Sequence, residues 1–114
     1  MIPPPSKRVR WIGSSRNDMR RLPKVARHRA GDELQRVQRG ELPSDWRTMT
    51  SVGPGVCEIR VRTSVAHRVI YIARFEEAVY VLHVFEKRTQ KTSRFDIETA
   101  RRRLGTVERE RSGR

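Results

Sequence analysis

The sequence predicts an α+β fold in which two N-terminal helices pack on a curved antiparallel sheet of about four to five strands, and a basic helix ends the chain. Two changes in hydrophobic period support this prediction. Apolar residues follow helical spacing before residue 40, alternate with polar residues between 46 and 87, and return to helical spacing after residue 93. Helices and strands that are segregated in this way form the layers of an α+β domain.

The N-terminal third predicts a strand and two helices after an irregular lead. Three consecutive prolines within residues 1–6 predict a disordered lead, because proline enters neither a helix interior nor a central strand. Residues 7–12 are predicted to form the first strand, and residues 16–22 and 24–39 to form helices. Pro23 suits the first position of the second helix, and Gly40 suits its end. Residues 7–111 are predicted to form one domain, followed by a flexible tail at 112–114.

The rest of the chain predicts four strands and a terminal helix. Apolar and polar residues alternate in four segments separated by short turns, at residues 46–52, 56–63, 68–75 and 78–87. Connections this short predict antiparallel neighbours. Ser93 is a predicted N-cap for a helix that runs to residue 111, with Asp96 in its first turn and a thin apolar stripe of Ile97, Ala100 and Leu104.

Composition restricts the partners that this chain can bind. Lys and Arg number 26 against 13 Asp and Glu, which gives a net charge of +13 and indicates a polyanionic partner such as nucleic acid. A membrane surface is the weaker alternative, because no segment combines a long apolar face with a basic one. The single cysteine, Cys57, excludes an internal disulfide, and the sequence has no signal-peptide pattern, so we expect a cytoplasmic protein.

One segment combines an apolar strand with a cationic exit. It runs from Tyr80 to Lys91 and carries Phe85, Lys87 and Lys91 towards one edge of the predicted sheet. An aromatic ring stacks on an unpaired base while ammonium groups contact phosphate, so this pattern is typical of an RNA site.

Alternation adds cations from the neighbouring strands. Arg60 and Arg62 share one face of their strand, and Arg68 and Arg74 share one face of the next. Strict alternation also places Phe85 on the same face of its strand as Val79, Val81, His83 and Lys87. The alternative is that Glu58 and Glu86 pair with these arginines in ordinary cross-strand ion pairs.

No conventional catalytic motif is present. The four aspartates form no motif that binds two metal ions, and the chain contains no His-x-x-x-His, Cys-x-x-Cys or glycine-rich phosphate loop. We therefore expect no metal and no small-molecule cofactor. RNA can be cleaved without either, because its 2′-OH attacks the adjacent phosphorus. Clustered cations lower one another's proton affinity, so that one Lys is able to act as a base while Arg stabilises the phosphorane.

The order of these segments resembles the RelE/ParE toxin superfamily, and within it the HigB-like, phage-derived toxin branch. The resemblance covers residues 7 to 105 and is carried by Val-Cys-Glu-Ile-Arg-Val-Arg, His-Arg-Val-Ile-Tyr-Ile-Ala-Arg-Phe and Tyr-Val-Leu-His-Val-Phe-Glu-Lys-Arg-Thr-Gln-Lys-Thr. It implies a RelE-like fold and a type II toxin that cleaves mRNA on the 70S ribosome. It also implies a cognate antitoxin, of the kind that binds DNA through a helix-turn-helix.

The resemblance suggests roles for nine residues. The catalytic residues that it implies are Arg60, Arg68, Arg74, Lys87 and Lys91, and the RNA-binding residues are Arg62, His83, Phe85 and Arg88.

Two other functions remain open for this sequence. One is a ParE-like toxin that inhibits DNA gyrase and cuts nothing, because folds of this superfamily serve both purposes. The other is a non-catalytic RNA- or ribosome-binding module whose affinity comes from charge alone.

Overall fold

A computed structural model describes residues 6–113 and confirms the α+β class. Five strands form one sheet in the order β1-β5-β4-β3-β2. The elements in chain order are β1 (Arg8–Trp11), α1 (Ser15–Arg20), α2 (Lys24–Gln38), β2 (Trp46–Thr48), β3 (Val56–Arg62), β4 (Ala66–Ile72), β5 (Ala78–Glu86) and α3 (Arg94–Ser112). Residues 1–5 of the predicted lead and Arg114 of the predicted tail lie outside the described residues, and Ser112 is the last residue of α3.

The sheet is mixed, so the prediction of an all-antiparallel sheet was wrong at one edge. Strands β2 to β5 pair antiparallel, but β1 pairs parallel with β5, with Arg8 opposite Ala78 and Trp11 opposite Val81. Short connections constrain only strands that are consecutive in the chain. Strands β1 and β5 are separated by both N-terminal helices and three strands, so their direction was not restricted by a short turn.

Helices cover both faces of the sheet and bury two cores. Residues of α1 and α2, including Met19, Ala26 and Leu34, pack on one face, which we call the α1–α2 face. Helix α3 packs on the opposite face, the α3 face, through Ala100, Leu104 and Val107. These residues have helical spacing and include two of the three predicted stripe positions; Ile97 packs at the margin of the same core.

Helix α3 begins where the sequence predicts. The Ser93 hydroxyl accepts a hydrogen bond from the Asp96 backbone N–H at 3.1 Å, which satisfies one of the free N–H groups of the first turn. This N-cap fixes the start of α3 beside the last residues of β5. The end of β5 and the parts of β2, β3 and β4 that pair beside it form the region described next.

Candidate nucleic-acid interface

A β-bulge in β5 moves Phe85 to the α3 face. Tyr71 pairs with Val81 while Ile70 pairs with His83, so Leu82 is an extra residue between two pairs. A bulge of this kind interrupts the alternation of side chains. The prediction that Phe85 shares a face with Val79 and Val81 was therefore wrong, because those valines pack in the α1–α2 core and Phe85 packs beside the α3 core.

The strand register then places the candidate residues in adjacent rows on the α3 face. Directly opposite residues share a face, and Arg60 lies opposite Arg68, which lies opposite Phe85. One row inward, Arg47 lies opposite Glu58. One row outward, Arg62 lies opposite Ala66, whose carbonyl accepts a hydrogen bond from the Lys87 backbone N–H at 2.9 Å. We call this set the cationic face: Arg47, Glu58, Arg60, Arg62, Arg68, Phe85 and Lys87.

One buried carboxylate holds three arginines of the cationic face. Oε1 of Glu58 lies 3.0 Å from Nε of Arg47, 3.4 Å from Nε of Arg68 and 3.7 Å from Nε of Arg60. The Glu58 side chain is fully buried and that of Arg68 is only 4% exposed. The alternative reading of the sequence, in which Glu58 pairs with strand arginines, is confirmed, but a single carboxylate is divided among three partners.

The cationic face retains an excess of positive charge. Its four arginines and Lys87 are countered by Glu58 and by Asp45, whose Oδ1 lies 3.8 Å from Nη1 of Arg60. Five cations against two carboxylates leave three positive charges within a small area. Such a surface raises the local concentration of anions, and the guanidinium group of arginine matches the geometry of phosphate oxygens.

The environment lowers the pKa of two of these cations. The pKa of Lys87 is lowered by desolvation and by the charges of Arg68, Arg47 and Arg60, although Glu58 acts in the opposite direction. The pKa of Arg68 is lowered by burial in the first place, with Glu58 again opposing the shift. Lys87 therefore reaches its neutral form more easily than a solvated lysine does.

Phe85 is supported from below by His83. The two rings stack with their centroids 4.7 Å apart and their planes 20° apart. His83 is only 7% exposed, and its Nε2 lies 2.7 Å from Oδ1 of Asp96. Burial lowers the pKa of His83, although the hydrogen bond in which the Asp96 carboxylate accepts from the ring acts in the opposite direction. The sequence suggested His83 as an RNA contact, but in the structure its ring is an internal support for the half-buried Phe85.

The remaining candidates lie at different distances from the cationic face. Lys91 is exposed in the loop after β5 and lines a groove with Arg47, so it extends the positive surface. Arg88 is exposed and its Nε lies 2.5 Å from Oε2 of Glu86. Arg74 follows the opposite end of β4, where its guanidinium lies 5.0 Å from the ring centroid of Phe75. The structure does not bring Arg74 together with the other candidates.

The sequence analysis missed Arg47 and the central role of Glu58. Arg47 stands in the predicted strand 46–52, but only its register against β3 shows that it lies opposite Glu58. The observed β2 ends at Thr48, because the chain turns there and the Val52 N–H donates to the Met49 carbonyl at 3.0 Å. The sequence offered one signal for this pair, which was an arginine in the strand that precedes the Glu-x-Arg strand.

Comparison with known families agrees with this architecture. Residues 17–105 match the family described as phage derived protein Gp49-like (DUF891), and the chain belongs to this family. The family is RelE-like and toxin-like, which implies an antitoxin partner in general. The matched segment contains the whole cationic face. Comparison with curated proteins finds no match.

Two further observations concern the part of the chain that the structure describes. No helix within residues 6–113 is both long and apolar enough to cross a membrane. In the same range, no group of three or more His, Cys, Asp or Glu side chains is arranged to hold a metal ion.

Proposed function

We propose that this protein is the toxin of a type II toxin–antitoxin system and cleaves mRNA on the ribosome, as a HigB-like endoribonuclease. One observation carries the proposal: Lys87, with its lowered pKa, lies among arginines that Glu58 and Asp45 leave incompletely neutralised. A surface that only binds anions has no need of a lysine whose pKa is lowered. An RNA nuclease that works without a metal requires a general base, and a lysine with a lowered pKa can serve as one.

The substrate is single-stranded RNA. Phe85 lies at the margin of the cationic face with its inner side against His83, which leaves the outer side to stack on a base. Arg47, Arg60 and Lys91 bind the scissile phosphate adjoining that base, and Arg62 binds the next phosphate. Arg68 is too buried to contact RNA freely and acts from below by adding positive potential.

The reaction is transesterification by the substrate's own 2′-OH. Neutral Lys87 takes the 2′ proton while the 2′ oxygen forms a bond to phosphorus. The bond between phosphorus and the 5′ oxygen then breaks, and this oxygen takes a proton from water or from Lys91. The products are a 2′,3′-cyclic phosphate and a 5′-hydroxyl. Arg47 and Arg60 stabilise the charge that develops on the phosphorane, a contribution typically worth about 10²–10³ in rate.

The partners of this function follow from the family and the charge. The ribosome presents mRNA as an extended single strand, which is the substrate form that a stacking ring and a row of arginines accept. A toxin requires an antitoxin, and we propose a DNA-binding helix-turn-helix protein that neutralises the cationic face. The protein then acts in the cytoplasm, where both partners occur.

The decisive experiment compares wild type with Lys87→Ala during inducible expression and maps new transcript 5′ ends. Arg39→Ala is the matched control, because it removes the same charge from a residue just after α2 that pairs with Glu41 at 3.0 Å. Wild type and the control are expected to produce new ends inside translated codons. Lys87→Ala is expected to reduce them about 10²–10³-fold while co-sedimentation with 70S ribosomes persists.

Other outcomes exclude this proposal. Growth arrest with DNA breaks and without new RNA ends would assign the protein to the gyrase inhibitors. Equal loss of ribosome binding in Lys87→Ala and Arg39→Ala, with no cleavage by wild type, would leave a module that binds by charge alone.

A further inference from the structure

A second basic surface lies on α1 and the first half of α2, outside the cationic face. Residues 16–29 contain six Lys and Arg but one acid, Asp18. Arg16 and Arg20 lie one turn apart on α1, and Lys24 and Arg27 lie one turn apart on α2. All four side chains are exposed, and we call them the helical basic surface.

One contact joins the two helices at this surface, and it involves no carboxylate. Nη1 of Arg27 donates to the backbone carbonyl of Arg20 at 3.2 Å, which links the two helices. Among residues 6–113, no carboxylate lies within ion-pair distance of Arg16, Arg20, Lys24 or Arg27. Asp18 is engaged instead by the Ser14 hydroxyl at 2.7 Å.

The positions of two of these charges also destabilise α2. The first turn of α2 contains no acidic residue and carries Lys24 and Arg27, whereas the helix dipole favours negative charge there. At the other end of the same helix, Arg36 and Arg39 both pair with Glu41, at 3.9 and 3.0 Å. One helix thus carries paired cations at its end and unpaired cations at its beginning, which points to a partner for the second group.

The chemistry of this surface identifies the partner. Residues 12 to 45 contain no Phe, Tyr or Trp, so the four residues lie on helices without large aromatic rings, and His28 is the one aromatic side chain in this range. Single-stranded RNA is bound through stacking platforms, whereas double-helical RNA is bound through its phosphate backbone and shape. We propose that the helical basic surface binds the backbone of an A-form RNA duplex, and that it does so independently of cleavage at the cationic face.

The test is the salt dependence of binding to an RNA duplex of about 16 base pairs. The variant Arg16→Gln/Arg20→Gln/Lys24→Gln removes three unpaired cations. The control Arg10→Gln/Arg36→Gln/Arg39→Gln removes three cations that pair with Glu110 or Glu41. Both variants have the same net charge, so bulk electrostatics cancels. Circular dichroism and thermal melting confirm that each variant is folded.

We expect the first variant to bind the duplex at least about tenfold more weakly at 0.1 M salt, and its slope of log affinity against log salt to fall by about two to three. The control is expected to change the slope by less than one. Equal effects of the two variants would overturn the proposal, as would a larger loss for the single strand than for the duplex. This test measures RNA binding and not RNA cleavage. The proposal of duplex binding can therefore fail while the proposed nuclease function stands, and the reverse is also possible.

Discussion

The two ends of the sheet use the same residue types in opposite ways. At the end where β5 begins, Arg111 lies 2.7 Å from Glu77 and its guanidinium lies 3.7 Å from the ring centroid of Phe75. At the end where β5 finishes, Glu58 is shared by three arginines and Phe85 lies beside them. Each end therefore combines arginine, glutamate and phenylalanine, but at the first end one glutamate pairs with one arginine, whereas at the second one glutamate is shared by three.

The pKa shifts express this difference. The hydrogen bond to Glu77 raises the pKa of Arg111, and Arg111 in turn lowers the pKa of Glu77 to about 2. At the other end, the pKa values of Arg68 and Lys87 are lowered, chiefly by desolvation and partly by neighbouring cations. Matched charges stabilise the ionised forms and fix α3 to the sheet, whereas surplus cations favour loss of a proton and attract an external anion.

The largest loss of folding stability is expected for Glu58→Gln. This change leaves Arg68 buried with no carboxylate partner, and breaking a buried ion pair from one side costs about 3–5 kcal/mol. Urea denaturation measures the free energy of unfolding. If Glu58→Gln and Glu77→Gln lower the free energy of unfolding equally, the proposed contrast between a carboxylate shared by three arginines and one paired with a single arginine is wrong.

A second comparison removes the phenylalanine ring at each end of the sheet in turn. Phe85→Ala is expected to weaken binding of single-stranded RNA by about 1–3 kcal/mol, because one stacking platform is lost. Phe75→Ala is expected to leave RNA binding unchanged and to lower the melting temperature, because its ring contacts Arg74, Arg111 and Tyr80. Fluorescence anisotropy and thermal melting of both variants separate the two roles, and equal RNA affinities would remove Phe85 from the site.

The lowered pKa of Lys87 predicts the pH dependence of cleavage. If the neutral amine is the base, the rate rises up to tenfold per pH unit and levels off at a pH below 10.5, the ordinary pKa of lysine. Cleavage rates on programmed ribosomes between pH 6 and 9 measure this slope. Lys87→Arg should abolish it, since arginine stays protonated over this range. A pH-independent rate in wild type would assign the base to another group.

The sequence was sufficient for the type and order of the elements because their signals are local, although β2 and β4 end before the predicted residues. Ser93 caps α3 as expected, and the apolar stripe of α3 needed only helical spacing. The direction of β1 was not predictable in the same way, because its pairing with β5 spans about 70 residues and leaves no trace in the alternation of either strand.

The site was less predictable than the fold, because it depends on register. Alternation gave the correct face for Arg60 and Arg68 but failed for Phe85, since the extra residue Leu82 looks like any other apolar strand residue. Arg74 shares a face with Arg68 in a regular strand, yet β4 ends at Ile72 and Arg74 lies at the opposite end of the sheet. Alternation predicts only the face of a residue and not its position along the strand. It therefore could not show that Arg74 and Lys87 lie at opposite ends of the sheet.

The smallest expected effect is a loss of stability in acid at the end of the sheet where Glu77 pairs with Arg111. The pKa of Glu77 is lowered from 4.5 to about 2, mainly by the hydrogen bond from Arg111. A group whose pKa is lower in the folded state adds stability above its unfolded pKa, and this contribution is lost as the pH falls from 4.5 towards 2. Stability measured by urea denaturation should therefore decline less steeply with acid in Glu77→Gln than in wild type. Glu98→Gln is the control, because Glu98 pairs with the exposed Arg94 on the surface of α3. An identical decline in all three proteins would show that the pairing of Glu77 with Arg111 does not distinguish this end of the sheet from the cationic face.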